Sequence, residues 1–163
     1  SLYQRSLMIF EKTFGLEHRN VAASLNNLAN IYHLQGKYDD AVETLRKAVA
    51  LEPKLTEAHF NLGNALKSRG DWDAAIDAYQ HALSLEPDDA KTHWKQAQVL
   101  LMTGRFREGW AEYQWRTRCD DFQSLIWNVP GTTWDGSRLD GKTILIYCEQ
   151  NFGDSIQFVR YAE

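Results

Sequence analysis

Gly36, Gly70 and Gly104 stand 34 residues apart, and so do Tyr38, Trp72 and Phe106, Ala48 and Ala82, and Pro53 and Pro87. A register of this length marks a solenoid, because each unit is too small to bury its own apolar face and must stack on a neighbour. Such a chain works through an extended surface rather than an enclosed pocket. What that surface can hold depends on the residues that do not serve the stacking.

Inside each period the apolar residues recur at i, i+3, i+4 and i+7, first as Leu25, Leu28, Ala29 and Tyr32 and then as Ala41, Val42, Leu45, Ala48 and Val49. That is the helical period, so each half unit is an amphipathic helix. The glycine at Gly36, Gly70 and Gly104 ends the first helix, and Pro53 and Pro87 fall just past the second. The expected unit is therefore a helical hairpin, held close by small residues such as Ala29, Ala41 and Ala48.

Composition excludes several classes. A hydrophobic content of 44% with 25% charged residues is that of a soluble globular protein. No apolar run approaches the roughly 18 residues of a membrane span, and the opening SLYQRSLMIF lacks the pattern of a signal peptide, so a cytoplasmic protein is expected. Cys119 and Cys148 lie in the last third without metal-ligand spacing and are expected to be reduced. The net charge of −4 hides an asymmetry: residues 1–89 carry 9 basic and 13 acidic groups, residues 90–118 carry 6 and 2, and residues 119–163 carry 3 and 7. One basic unit between two acidic stretches argues against nucleic acid, which favours a long basic face, and leaves room for a local anionic ligand.

With position 1 of a unit at Ala22, later units begin at Thr56 and Ala90, and the second reads Leu62, Gly63, Leu66, Gly70, Trp72, Ala75, Tyr79, Ala82 and Pro87 at positions 7, 8, 11, 15, 17, 20, 24, 27 and 32. This pattern resembles the tetratricopeptide repeat, and the resemblance implies an all-α solenoid of helical hairpins that binds protein. Units are expected at 22–55, 56–89 and 90–118. The third departs from the pattern, with Gln96 at the apolar position 7, Gly109 and Arg116 where alanines stand, and no closing proline. Polar and rich in tryptophan (Trp94, Trp110, Trp115), it reads as the cap of the array.

Both ends break the register. Ser6 and Ala48 hold equivalent places 42 residues apart, and LYQRSLMIFEKTFGLEHRNVAASLNNLANIY resembles the longer repeats of kinesin light chains. Residues 1–20 are then expected to be the second helix of a truncated repeat plus a loop, with Leu2, Leu7, Ile9 and Phe10 on an uncovered apolar face suited to self-association. Residues 119–141, with Trp127, Pro130, Gly131, Trp134, Gly136 and Gly141, read as a turn-rich connector. KTILIYCEQ reads as a buried strand that pairs with a second copy or stays poorly ordered, and a helix with a capping box at Asp154 and Gln157 follows. GWAEYQWR and PGTTWDGSRLDGKTILIYCEQNFGDSIQFVRYAE together resemble the junction between tetratricopeptide repeats and a glycosyltransferase-like domain of the heptosyltransferase type. The resemblance implies that residues 142–163 begin a Rossmann-like domain, with Gly153 and Asp154 at a helix N-terminus facing phosphate or acceptor. A lone parallel strand cannot build that site, so Asp154 reads as a helix cap and no catalytic residue is assigned.

In tetratricopeptide hairpins the first helix lines the concave face through positions 2, 5, 6, 9, 12 and 13. The resemblance therefore implies a peptide groove built from Asn26, Asn27, Asn30, Phe60, Asn61, Asn64, Lys91, Trp94, Lys95 and Gln98. Asn27 and Asn61 resemble the asparagine ladder of the O-GlcNAc transferase solenoid, in which amides hold a peptide backbone without demanding a sequence. Asn30, Asn61, Lys91 and Lys95 resemble four of the five members of a carboxylate clamp, with Asn26 in place of its first lysine. His59 and His93 share position 4, so their spacing reflects repeat packing, and the other histidines form no metal-ligand pair. The expectation is an interaction scaffold for a peptide or partner protein, with no cofactor, no metal, no membrane and no catalysis of its own. The alternative is the acceptor-presenting part of a glycosyltransferase whose catalytic domain lies elsewhere.

Overall fold

A computed structural model describes residues 19–119. The helix expected within residues 2–13, the connector beyond Cys119, the strand at 142–148, Cys148 and the helix from Asp154 lie outside the described residues.

Six α-helices follow one another: α1 (Arg19–Leu34), α2 (Tyr38–Leu51), α3 (Thr56–Arg69), α4 (Trp72–Leu85), α5 (Ala90–Met102) and α6 (Phe106–Tyr113), with a 3₁₀ turn at Gln114–Arg118. They pair as three hairpins, α1 with α2, α3 with α4 and α5 with α6. This is the all-α solenoid expected from the 34-residue register. The first helix begins at Arg19, three residues ahead of the unit start set at Ala22.

The recurring glycines have one cause. Gly36, Gly70 and Gly104 take φ values of 75°, 97° and 80°, a left-handed conformation that costs a residue with a Cβ. Each closes the same two-bond motif at the end of a first helix. Lys37 N–H donates to Tyr32 O (2.9 Å) while Gly36 N–H donates to His33 O (3.0 Å). Asp71 N–H reaches Leu66 O (3.0 Å) and Arg105 N–H reaches Leu100 O (2.9 Å) in the later hairpins. The motif satisfies carbonyls that the helix end would leave bare and turns the chain back within two residues.

Small residues then set the distance between the helices of a hairpin. Ala29, Ala41 and Ala48 are fully buried in the first, and Ala75, Ala82 and Gly63 are buried in the second. Gly63 lies so close to Tyr79 that a Cβ there would stand 2.5 Å from its Cε1. Around these contacts sit Val21, Leu25, Val42, Leu45, Leu62, Leu66, Ile76, Val99 and Leu100, in one cluster that runs through all three hairpins. Each such side chain contributes about 1.5–3 kcal/mol by leaving water.

The deviations of the third unit also have local reasons. At Gly109 a Cβ would come within 2.8 Å of both Cγ and Cδ2 of Leu101, so α6 approaches α5 more closely than an alanine permits. Arg116, at the place of an alanine, lays its guanidinium 4.5 Å from the Tyr113 ring centroid. Gly109 is the buried residue of α6, and the exposed residues around it mix aromatic Phe106 and Trp110, at 60% and 55% exposure, with charged Arg107 and Glu108.

Successive first helices touch, α1 with α3 and α3 with α5, whereas among the described residues successive second helices do not. A stack with that asymmetry curves, with α1, α3 and α5 on its inner side. Their polar positions therefore share one face.

Candidate functional site

Residues i, i+4 and i+7 of a helix share a face. On α3 this brings Phe60, Asn64 and Lys67 into one row, and on α5 it does the same for Lys91, Lys95 and Gln98. The two rows meet. Lys91 Nζ lies 5.2 Å from the Phe60 ring centroid at one end, and Lys67 Nζ donates to Gln98 Oε1 (3.3 Å) at the other. Lys95 Nζ stands 4.5 Å from the Trp94 centroid.

The row on α1 joins α3 through two further bonds. Asn61 Nδ2 donates to Asn26 Oδ1 (2.9 Å), and His33 Nε2 is 2.9 Å from Ser68 Oγ. Asn26 is buried at 2% exposure, so its carbonyl oxygen serves the contact between repeats. Asn27 is exposed and Asn30 half-buried, and neither has a side-chain hydrogen-bond partner among the described residues. Asn64 is half-buried and accepts from the Tyr79 hydroxyl (2.9 Å), which leaves its amide group for other partners. Of the ten residues singled out in the sequence, all lie on the three inner helices. They divide into packing groups, namely Asn26 and the bonded halves of Asn61 and Asn64, and groups open to a ligand.

Lys67 holds position 12 of the second unit and so belongs to the concave positions by register, although it is not among the ten groove residues named from the sequence. Half-buried, it has its ammonium held below the usual lysine range first by desolvation and then by the charge of Lys95. The register puts it on the inner face one turn beyond Asn64, and the structure adds its neighbours Gln98 and Lys95. Lys67, Lys91 and Lys95 form no ion pair with a described carboxylate.

The histidines act between and within repeats. His59 Nε2 is 3.0 Å from Pro53 O and its ring stacks on His81, with centroids 5.5 Å apart. His93 repeats this with Pro87 O at 2.8 Å, stacks on Trp115 at 4.0 Å, and adds a short contact from Nδ1 to Glu112. Each therefore clips a first helix to the loop before it. Among the described residues, no three metal-ligating side chains come together, and no helix is long and apolar enough to cross a membrane.

Comparison with known proteins agrees with the repeated helical hairpins. Residues 1–54 match a family model described as tetratricopeptide repeat, and residues 63–104 match one described as TPR repeat. Protein FlbA of Caulobacter vibrioides is 36% identical over 63 residues, which are 39% of this chain and 11% of that protein. The matched stretch is thus a small part of the relative's length.

Proposed function

Since this chain carries tetratricopeptide repeats along residues 1–54 and 63–104, we propose that it is a protein-interaction scaffold that takes an extended segment of a partner along the face of α1, α3 and α5. The observation that carries this reading is the set of amides left open there. Asn27 and Asn30 have no partner within the described chain, and the amide groups of Asn61 and Asn64 are each only partly used. An asparagine both donates and accepts, as a peptide group does, so a row of them can hold main chain whatever side chains it bears.

The test is an array of random octapeptides amidated at the C-terminus. The wild-type chain should retain a subset, and Asn27→Ala/Asn30→Ala should weaken it about tenfold, the loss expected for one to two hydrogen bonds. Undiminished retention by the variant would remove the amides from the reading. The continuation toward a glycosyltransferase-like domain rests mainly on residues 120–163, outside the described region. A sugar-nucleotide titration of this chain tests it separately and should show no saturable binding.

A further inference from the structure

Three cations elsewhere on the described chain sit in ion pairs. Lys47 bonds Glu43 (2.7 Å), Arg69 joins Asp39 (3.2 Å) and Asp71, and Arg105 joins Glu108 (2.6 Å). The strip between α3 and α5 differs in bringing several lysines together with no described carboxylate paired to them. It gathers Lys67, Lys91 and Lys95, and the acceptor given to Lys67 is a neutral amide oxygen of Gln98. The remaining charged inner position is Glu57, exposed at the start of α3 and in no ion pair with these lysines.

Like charges brought together on two packed helices cost free energy unless an anion sits between them. Burial makes that cost larger, and Lys67 is half-buried with its ammonium already disfavoured by Lys95. The aromatic rings of Phe60 and Trp94 hold the Lys91 and Lys95 head groups over their faces, which orders these side chains without neutralising them. The arrangement is a pre-positioned cationic strip lacking its counter-charge.

We infer that this strip selects partners rich in acidic side chains, an Asp or Glu carboxylate of the bound segment seating between Lys67 and Lys95. The inference rests on the groove reading above and adds the chemistry of the partner. Because the carboxylate is a side chain, a free C-terminus is not required.

The same amidated octapeptide array tests it, using peptides in matched pairs with Glu or Gln at each acidic position. Wild type should bind the Glu members about tenfold more tightly at low ionic strength, a preference that shrinks as salt screens it. Lys67→Gln/Lys95→Gln should abolish the preference, read as the ratio of Glu to Gln affinities so that any general loss of groove binding cancels, and Lys67→Arg/Lys95→Arg should restore most of that ratio. Helical circular dichroism and the urea midpoint of each variant check that the fold survives. Equal binding of both members by wild type leaves the groove standing and overturns the acidic preference. A preference that persists in the Gln variant, or that appears only with a free C-terminal carboxylate, overturns it as well. Retention of no peptide at all removes the groove reading and this inference together.

Discussion

The second and third repeats place the same kinds of residue at the same positions and use them differently. In the second, Tyr79 is fully buried, lies against Gly63 and donates its hydroxyl to Asn64. In the third, the equivalent Tyr113 is half-buried, meets Trp110 edge-on at 5.3 Å and carries the Arg116 guanidinium. The histidine clip follows the same division. His59 has a carbonyl and a second imidazole for company, whereas His93 has a carbonyl, an indole and the carboxylate of Glu112. Both repeats join their two helices through side-chain contacts, but the interior one centres them on a buried tyrosine and the later one on a partly exposed contact between histidine and carboxylate. The pattern shows that a period in sequence specifies the hairpin and leaves open which forces close it.

The largest effect should separate the two tyrosines. Tyr79→Ala empties a fully enclosed site and should cost about 3–5 kcal/mol, whereas Tyr113→Ala should cost about 1 kcal/mol, both read from urea unfolding. Equal losses would erase the distinction. Alkaline pH sharpens it, because burial holds the Tyr79 phenol well above the usual tyrosine value of about 10. A phenol raised in the folded state contributes its full stability below pH 10 and loses it as pH rises from there toward the folded value, since the unfolded chain ionises first. The urea midpoint should therefore decline above pH 10, and Tyr79→Phe should flatten part of that decline.

The next effect concerns the glycines at the two close approaches. Gly63→Ala gains helix propensity but drives a methyl into the Tyr79 ring at 2.5–2.9 Å, and the ring is enclosed. Overpacking of this kind should outweigh the propensity gain and leave a net loss of about 1–2 kcal/mol. Gly109→Ala meets Leu101, a half-exposed side chain that can turn aside, though its backbone N stands at 3.1 Å. Its net cost should be about 0–1 kcal/mol by the same balance. A Gly109 variant as damaged as the Gly63 one would mean that the approach of α6 to α5 is as unyielding as that of α4 to α3.

These contrasts also mark how much was legible beforehand. The hairpins, their turns and the inner position of the asparagines follow from helical period and glycine placement, which are local rules that repeat with the chain. The reasons for Gly109 and Arg116 did not follow, because both look like losses of pattern until Leu101 and Tyr113 are seen beside them. Asn26 illustrates the limit on the inner face. Its position marks it as groove lining, yet its burial against Asn61 depends on how closely α1 and α3 approach. Lys67 illustrates the converse, since its significance lies in the lysine across the interhelical seam, 28 residues later in the chain.

The smallest effect is the coupling inside the third repeat. His93 and Glu112 belong to α5 and α6, and their contact is mostly shielded from water. A double-mutant cycle with His93→Ala and Glu112→Ala should return about 1 kcal/mol, the scale of coupled groups in direct contact. The matching cycle at His59 and His81 removes a stacking contact between two imidazoles 5.5 Å apart and should return less than half of that. Because Ala78 stands where Glu112 would fall in the second repeat, Ala78→Glu is a direct attempt to transplant the fastening. Ala78 is buried, so the carboxylate should destabilise that hairpin unless His59 turns to meet it. A transplant that raises the urea midpoint would show that the clip is portable. A fall shows that the extra bond at His93 requires the partly exposed surroundings that Glu112 has and Ala78 lacks.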